Sequence, residues 1–184
     1  MQIVHQPDIF LREPTIEVKF PLTPEDQVII DQMIDIMYRN NGIGLAANQV
    51  GYARRIFVMD TTSSQAGAMV FINPVIEKLA KEKLTEEEGC LSCPKKLVEV
   101  KRPIYVGLKY FCRHGEEQYK TFYYLSSRVV QHEVDHLNGK LIIDKDFREE
   151  AEKEKEELNA SYQESVRQAK ERKEKKILLS ARKS

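Results

Sequence analysis

No stretch of this chain is apolar for long enough to cross a bilayer as a helix, so a helical membrane span is excluded. It also lacks net charge: 29 basic side chains offset 29 acidic ones, which leaves no overall attraction to nucleic acid and no expectation of sequence-specific binding to it. The N-terminus has neither the basic-then-apolar pattern of a secretion signal nor the Arg/Ser-rich composition of a transit peptide. Cysteine is scarce, at three, and without a secretion signal these are expected as reduced thiols in the cytoplasm. Histidine is nearly as scarce, at four. A length of 184 residues fits one domain with room for an extension.

Two of the four histidines fall in Gln131-His132-Glu133-Val134-Asp135-His136-Leu137-Asn138-Gly139. On an α-helix, positions i and i+4 share a face, so both imidazoles can point at one metal ion, with Glu133 placed to act as general base on a water there. A surface helix with two unrelated histidines is the plainer reading. Arg128-Val129-Val130 argues against it by giving the segment an apolar face. A catalytic site of this kind wants a third protein ligand and an open position. The pattern with a third histidine, six residues after His136, meets Ile142 instead. A downstream glutamate would come from Glu149 to Glu157, a charge run that reads as solvated. Upstream stands Cys90, in Glu88-Gly89-Cys90-Leu91-Ser92; a thiolate is a good ligand, and the glycine beside it permits close approach. Cys90 and Cys93 also make a CxxC. As half a zinc ribbon it lacks its second pair, and as a redox motif it meets Pro94 where a helix should begin.

Elsewhere, Pro14 and Pro21 mark residues 14 to 23 as loop. Thr23-Pro24-Glu25-Asp26 is a helix start, with a capping threonine, proline in the first turn and acids at the positive end. Ile29, Met33, Ile36 and Met37 follow at helical spacing, and the stop is expected near Asn40-Asn41-Gly42. Gly42-Ile43-Gly44 suits a loop whose backbone passes close to something. Strands are expected at 55–59, 69–72, 97–100, 104–110 and 119–124, with a hairpin turn at Arg113-His114-Gly115. Residues 78–88 fit a strand or a helical turn equally. Cys112 is expected in the core, His5 and His114 as exposed bystanders, and the helix carrying His132 to be capped by Ser126 or Ser127. From Phe147 the composition changes: residues 149–157 are mainly glutamate, and residues 166–184 hold eight basic side chains against two acidic ones. One long, partly exposed helix is expected there. Its plainer role is a solvated tail; its functional one is docking to the phosphates of ribosomal RNA.

Three segments in order, Gly42-Ile43-Gly44-Leu45-Ala46-Ala47-Asn48-Gln49, Glu88 to Ser92, and Gln131 to Gly139, resemble the three signature motifs of the peptide deformylase family. Pro7-Asp8-x-x-Leu11-Arg12 resembles its N-terminal segment, so the likeness runs from about position 3 to 145. The resemblance implies an α+β fold, antiparallel strands packed around a central HExxH helix over residues 1–147, with 148–184 as a charged helical extension. It implies Cys90, His132 and His136 as ligands of one divalent ion, ferrous iron (Fe2+) by family habit, with zinc (Zn2+), nickel (Ni2+) or cobalt (Co2+) able to occupy the site. Glu133 would move the proton, and the Gln49 amide and Leu91 backbone N–H would stabilise the oxyanion. The substrate would be an N-formyl-methionyl nascent peptide, the product formate, and the setting the ribosome, reached in some members through a C-terminal helix. Ile43, Leu125 and Val129 would form the methionine pocket, and the segments around Gly44 and Gly89 would pair with peptide backbone. The stem of Arg128 would line the wall while its charge reaches out. The family usually carries an aliphatic residue where this chain has Cys93, and oxidation of Cys90 with Cys93 would disarm the metal site. Two other readings are a metal-stabilised binding module, which would need neither Glu133 nor Gln49, and a general metallopeptidase, which would draw its third ligand elsewhere.

Overall fold

The computed structural model describes residues 1–145, apart from 63 and 66, together with 160, 161, 163, 164 and 167. By its internal contacts the chain divides into Met1–Lys145 and Asp146–Ser184. The described residues of the second unit are helical and exposed; the rest of the expected long helix lies outside the described residues. No helix among the described residues is long and apolar enough to cross a membrane.

The first unit holds two α-helices, α1 (Pro24–Arg39) and α2 (Tyr124–Leu137). Its strands are β1 (Gly44–Ala46), β2 (Ile56–Met59), β3 (Met69–Leu79), β4 (Lys83–Cys90), β5 (Cys93–Pro103), β6 (Tyr105–Phe111) and β7 (Glu117–Tyr123). Five form an antiparallel sheet in the order β1-β2-β3-β6-β7. β4 and β5 form a separate antiparallel hairpin, inserted between β3 and β6. The undecided stretch at 78–88 is therefore the end of β3 and most of β4.

Helix α1 begins as its sequence dictates. The Asp26 N–H donates to Thr23 Oγ1 and the Thr23 N–H donates to Asp26 Oδ2, so two otherwise orphaned amides are satisfied reciprocally. At its far end Gly42 N–H reaches the Met37 carbonyl and Asn41 N–H that of Tyr38. Asn41, with φ of 54°, takes the left-handed position usually left to glycine.

Strand alternation explains why both helices are needed. Along β2, Ile56 and Val58 face one way and pack with Ile29, Ile30, Met33 and Met37 of α1. Phe57 and Met59 face the other way and pack with Val129, Val130, Val134 and Leu137 of α2. All four residues of β2 are buried, which is why Ile56–Met59 reads as a continuous apolar run rather than an alternating one.

Helix α2 starts earlier than expected and without a serine cap. Its N-cap is Tyr123, whose side chain makes no capping bond; the Tyr124 N–H is taken by the Ile104 carbonyl at 2.7 Å. The two serines are used elsewhere: Ser127 Oγ donates to the Pro103 carbonyl, and Ser126 Oγ pairs with Thr61 Oγ1. The bend between β5 and β6 supplies what a local cap would have supplied. Cys112 is also not core. It lies half-buried past the end of β6, in the turn closed by its N–H on the Glu116 carbonyl, with His114 exposed at the tip.

Candidate metal centre

Three distant parts of the first unit converge on one cleft of about 730 Å³. The first is β1 with the 3-10 turn Ala47–Val50, the second the β4–β5 turn at Leu91-Ser92, the third α2. Cys90 Sγ lies 3.2 Å from His136 Nε2, and that nitrogen lies 3.2 Å from His132 Nε2. All three ligand atoms fall within 4.8 Å of one another. One thiol sulfur and two imidazole nitrogens aimed at a common point fit a divalent transition metal.

The imidazoles are prepared for that role. His132 turns Nδ1 to Glu88 Oε2 at 3.0 Å, leaving Nε2 toward the common point. Burial, followed by coulombic interaction with His132, Arg102 and Arg12, holds His136 well below its ordinary pKa, which favours the neutral ring able to donate a lone pair. Its Nδ1 is buried with no partner among the described residues, as is Asn48 Oδ1, while Asn48 Nδ2 donates to the His136 carbonyl at 2.6 Å. Asn48 thereby ties the turn carrying Gln49 to the last turn of α2.

Glu88 is the residue that a linear reading undervalued. Burial alone would raise its carboxyl, but hydrogen bonds and charge from Arg102 and His132 hold it well below the usual carboxylate range. Arg102 grips both its oxygens, at 2.5 and 2.8 Å, and Arg128 reaches Oε1 at 2.7 Å. Arg128 corrects its expectation: its charge does not reach out. It is buried, binding Glu86 and the carbonyls of Leu84 and Val100, and so fastens the β4–β5 hairpin to α2. Nothing local in the sequence marks Arg102 as a partner of Glu88; a strand residue flanked by Lys101 and Pro103 looks like ordinary surface.

Glu133 is 3% exposed, and its Oε2 has no partner among the described residues. Burial pushes its pKa up to about 7 against the attraction of His132 and Arg102. Its other oxygen presses on Gly44: a Cβ there would lie 2.4 Å from Glu133 Oε1 and 2.8 Å from Val129 Cγ1. Gly44→Ala should therefore displace the carboxylate, and since misplacement by about an ångström costs on the order of a hundredfold, turnover should fall by roughly that factor. Steady-state kinetics at matched metal content would check this; unchanged kcat would show that Glu133 is not held by this contact.

Gln49 Oε1 accepts from the Ala46 N–H at 2.8 Å, which fixes the amide so that Nε2 faces Ser92 Oγ at 3.2 Å and Cys90 Sγ at 3.6 Å. Leu91 sits half-buried in the β4–β5 turn, its side chain 3.0 Å from where a Cβ on Gly42 would be. Ile43, Gly44, Gly89, Leu125 and Val129 all line the cleft; Val129 is buried at its wall, and Ile43 and Leu125 are exposed at its rim. His5 is exposed as expected, yet also lines this cleft.

Residues 1–156 match the family model described as Polypeptide deformylase. The chain belongs to that family. It is 47% identical to a peptide deformylase of Pseudothermotoga lettingae over 63% of this chain and 66% of the relative. A peptide deformylase structure from Plasmodium falciparum superposes with a TM-score of 0.77 at 37% identity, covering 86% of this chain and 94% of that one. A class I type b peptide deformylase from Acinetobacter baumannii, determined with Met-Ala-Ser bound, gives 0.74 at 30% identity over 79% of this chain and 97% of that one. Family membership makes this a metal-dependent enzyme fold, and Cys90, His132 and His136 are its candidate metal group.

Proposed function

We propose that this protein hydrolyses the formyl amide of N-formyl-methionyl nascent peptides, releasing formate, at the Cys90–His132–His136 centre. The observation that carries the reading is the convergence of this ligand group with buried Glu133 in one cleft. Cys90, His132 and His136 would hold the metal, with ferrous iron the ion favoured by the resemblance. A bound divalent ion supplies Lewis acidity, bringing the pKa of water to about 7.

The chain's own residues do the rest. Glu133 takes a proton from the attacking water and returns it to the leaving amine, roles suited to a carboxyl titrating at about 7. Gln49 Nε2, already aimed at Cys90, and the Leu91 N–H donate to the oxygen as it becomes negative. β1 and β4 each have one strand partner among the described residues, so each offers an open edge at Gly44 and Gly89. An extended peptide would lie between those edges, and Val129, Ile43 and Leu125 would hold the methionine side chain. The Met-Ala-Ser bound to the Acinetobacter relative has the form of a deformylated product, which supports this class of substrate. As part of the same proposal, we assign the reaction to the cytoplasm.

Formate release from a formyl-Met peptide by the anaerobically iron-loaded chain tests the reading; no formate above a metal-free control would end it. The basic C-terminal residues extend it to ribosome docking. Removal of residues 160–184 should weaken ribosome binding in cosedimentation, increasingly so at low salt, and leave turnover on short peptides intact. Equal cosedimentation of both forms would count against docking.

A further inference from the structure

The thiol of Cys93 has no part in the function proposed above. It is 1% exposed, lines the same cleft as Cys90, and falls outside the group of three convergent ligand atoms. Cys90 closes β4 and Cys93 opens β5, and the two are direct cross-strand partners about the Leu91-Ser92 turn. Neither is in a disulfide: both cysteines are free thiols. Directly opposed residues of an antiparallel pair have Cα atoms about 4.5–5.5 Å apart, inside the range a disulfide spans. Cys90 is half-buried and Cys93 buried, and both line the cleft.

We propose that Cys90 and Cys93 form an oxidative modification site for hydroperoxides, in which a reversible disulfide withdraws the sulfur ligand from the metal centre. The inference rests on the reading of Cys90 as a ligand. The Cys90 thiolate attacks the terminal oxygen of a hydroperoxide; the O–O bond breaks, and the alkoxide leaves and takes a proton from solvent. The Cys93 sulfur then attacks the resulting sulfenic acid. The S–S bond forms, the S–O bond breaks, and hydroxide leaves with the Cys93 thiol proton as water. The cysteine pair loses two electrons and the peroxide gains them, so no further reductant or oxidant enters. A cysteine without such a neighbour would pass from sulfenic to sulfinic acid, which thiols do not reverse. Cys93 thus converts an irreversible loss into a reversible one.

The test uses the full chain loaded with zinc, which has no redox chemistry of its own, treated with stoichiometric hydrogen peroxide. Intact mass and peptide mapping should show loss of two hydrogens at a Cys90–Cys93 link. A chromogenic chelator should report zinc release in step, and dithiothreitol should restore both thiols and metal binding. In Cys93→Val, given at least two equivalents of peroxide, the mass should rise by oxygen atoms that dithiothreitol does not remove, and metal binding should not return. Cys112→Ser should behave as the parent. Lasting oxygen addition at Cys90 in the parent, or full recovery of metal binding by Cys93→Val under dithiothreitol, would overturn the proposal. Zinc retained after a mapped Cys90–Cys93 link, together with full zinc loading of Cys90→Ser, would instead overturn Cys90 as a ligand.

Discussion

Formate release by Glu133→Gln should fall by roughly a hundredfold to ten-thousandfold, the range that a positioned general acid–base supplies. The parent carboxyl is buried against Gly44 with one oxygen unpaired among the described residues, and burial lifts it to about 7. It can therefore accept a proton and give it back near neutrality, whereas an amide of the same shape can do neither. Glutamine fills the same space, so folding and metal content should be retained. Parallel measurement of metal stoichiometry, thermal midpoint and turnover separates the possibilities. Activity within a few-fold of the parent at equal metal content would show that proton transfer does not pass through this residue.

Glu88→Ala should combine the largest loss of stability with a loss of metal affinity. The carboxylate receives Arg102 on both oxygens, Arg128 on one and the His132 ring on the other. Removing one partner of a buried ion pair typically costs about 3–5 kcal/mol, because the remaining charge stays buried. Arg102 keeps Asp135 at 2.7 Å, which moderates the cost without abolishing it. Loss of a hydrogen bond that orients a metal-binding histidine typically costs about 10–100-fold in affinity. Denaturant titration of the metal-free chain and competition against a chelator would measure the two effects separately. Metal affinity equal to the parent would show that Glu88 serves the fold alone. The pH dependence has a definite sign. A carboxyl depressed in the folded state stabilises fully above its ordinary value of 4.5 and loses that contribution as pH falls toward its folded value. Acid should therefore unfold the parent more steeply than Glu88→Gln.

Much of this architecture is legible along the chain because it depends on neighbours. The start of α1 follows from Thr23, Pro24 and Asp26 meeting within one turn, and its core face from Ile29, Met33 and Met37 recurring at helical spacing. The histidine pair follows the same logic: four residues on a helix is one turn, so His132 and His136 must share a face. The resemblance of three short motifs then named the family over most of the chain.

Other features were out of reach for a reason that is equally physical. Ser126 and Ser127 read as helix caps, yet Thr61 and the Pro103 carbonyl claim them, since the Ile104 carbonyl between β5 and β6 already gives α2 a partner for its first amide. Arg128 read as a snorkelling side chain, yet its rigid fork makes four hydrogen bonds to carbonyls and carboxylates from two strands that local pattern does not bring near. The role of Glu88 depends on residues 14, 40 and 44 positions away along the chain. Short-range periodicity sets where helices and strands form and which side of each is apolar, because those preferences are energies between near neighbours. Which buried charge meets which, and how closely Gly44 lets Glu133 approach, are settled by closure of long loops in a dry interior, where an unpaired charge is too costly to survive and only the folded chain supplies the partner.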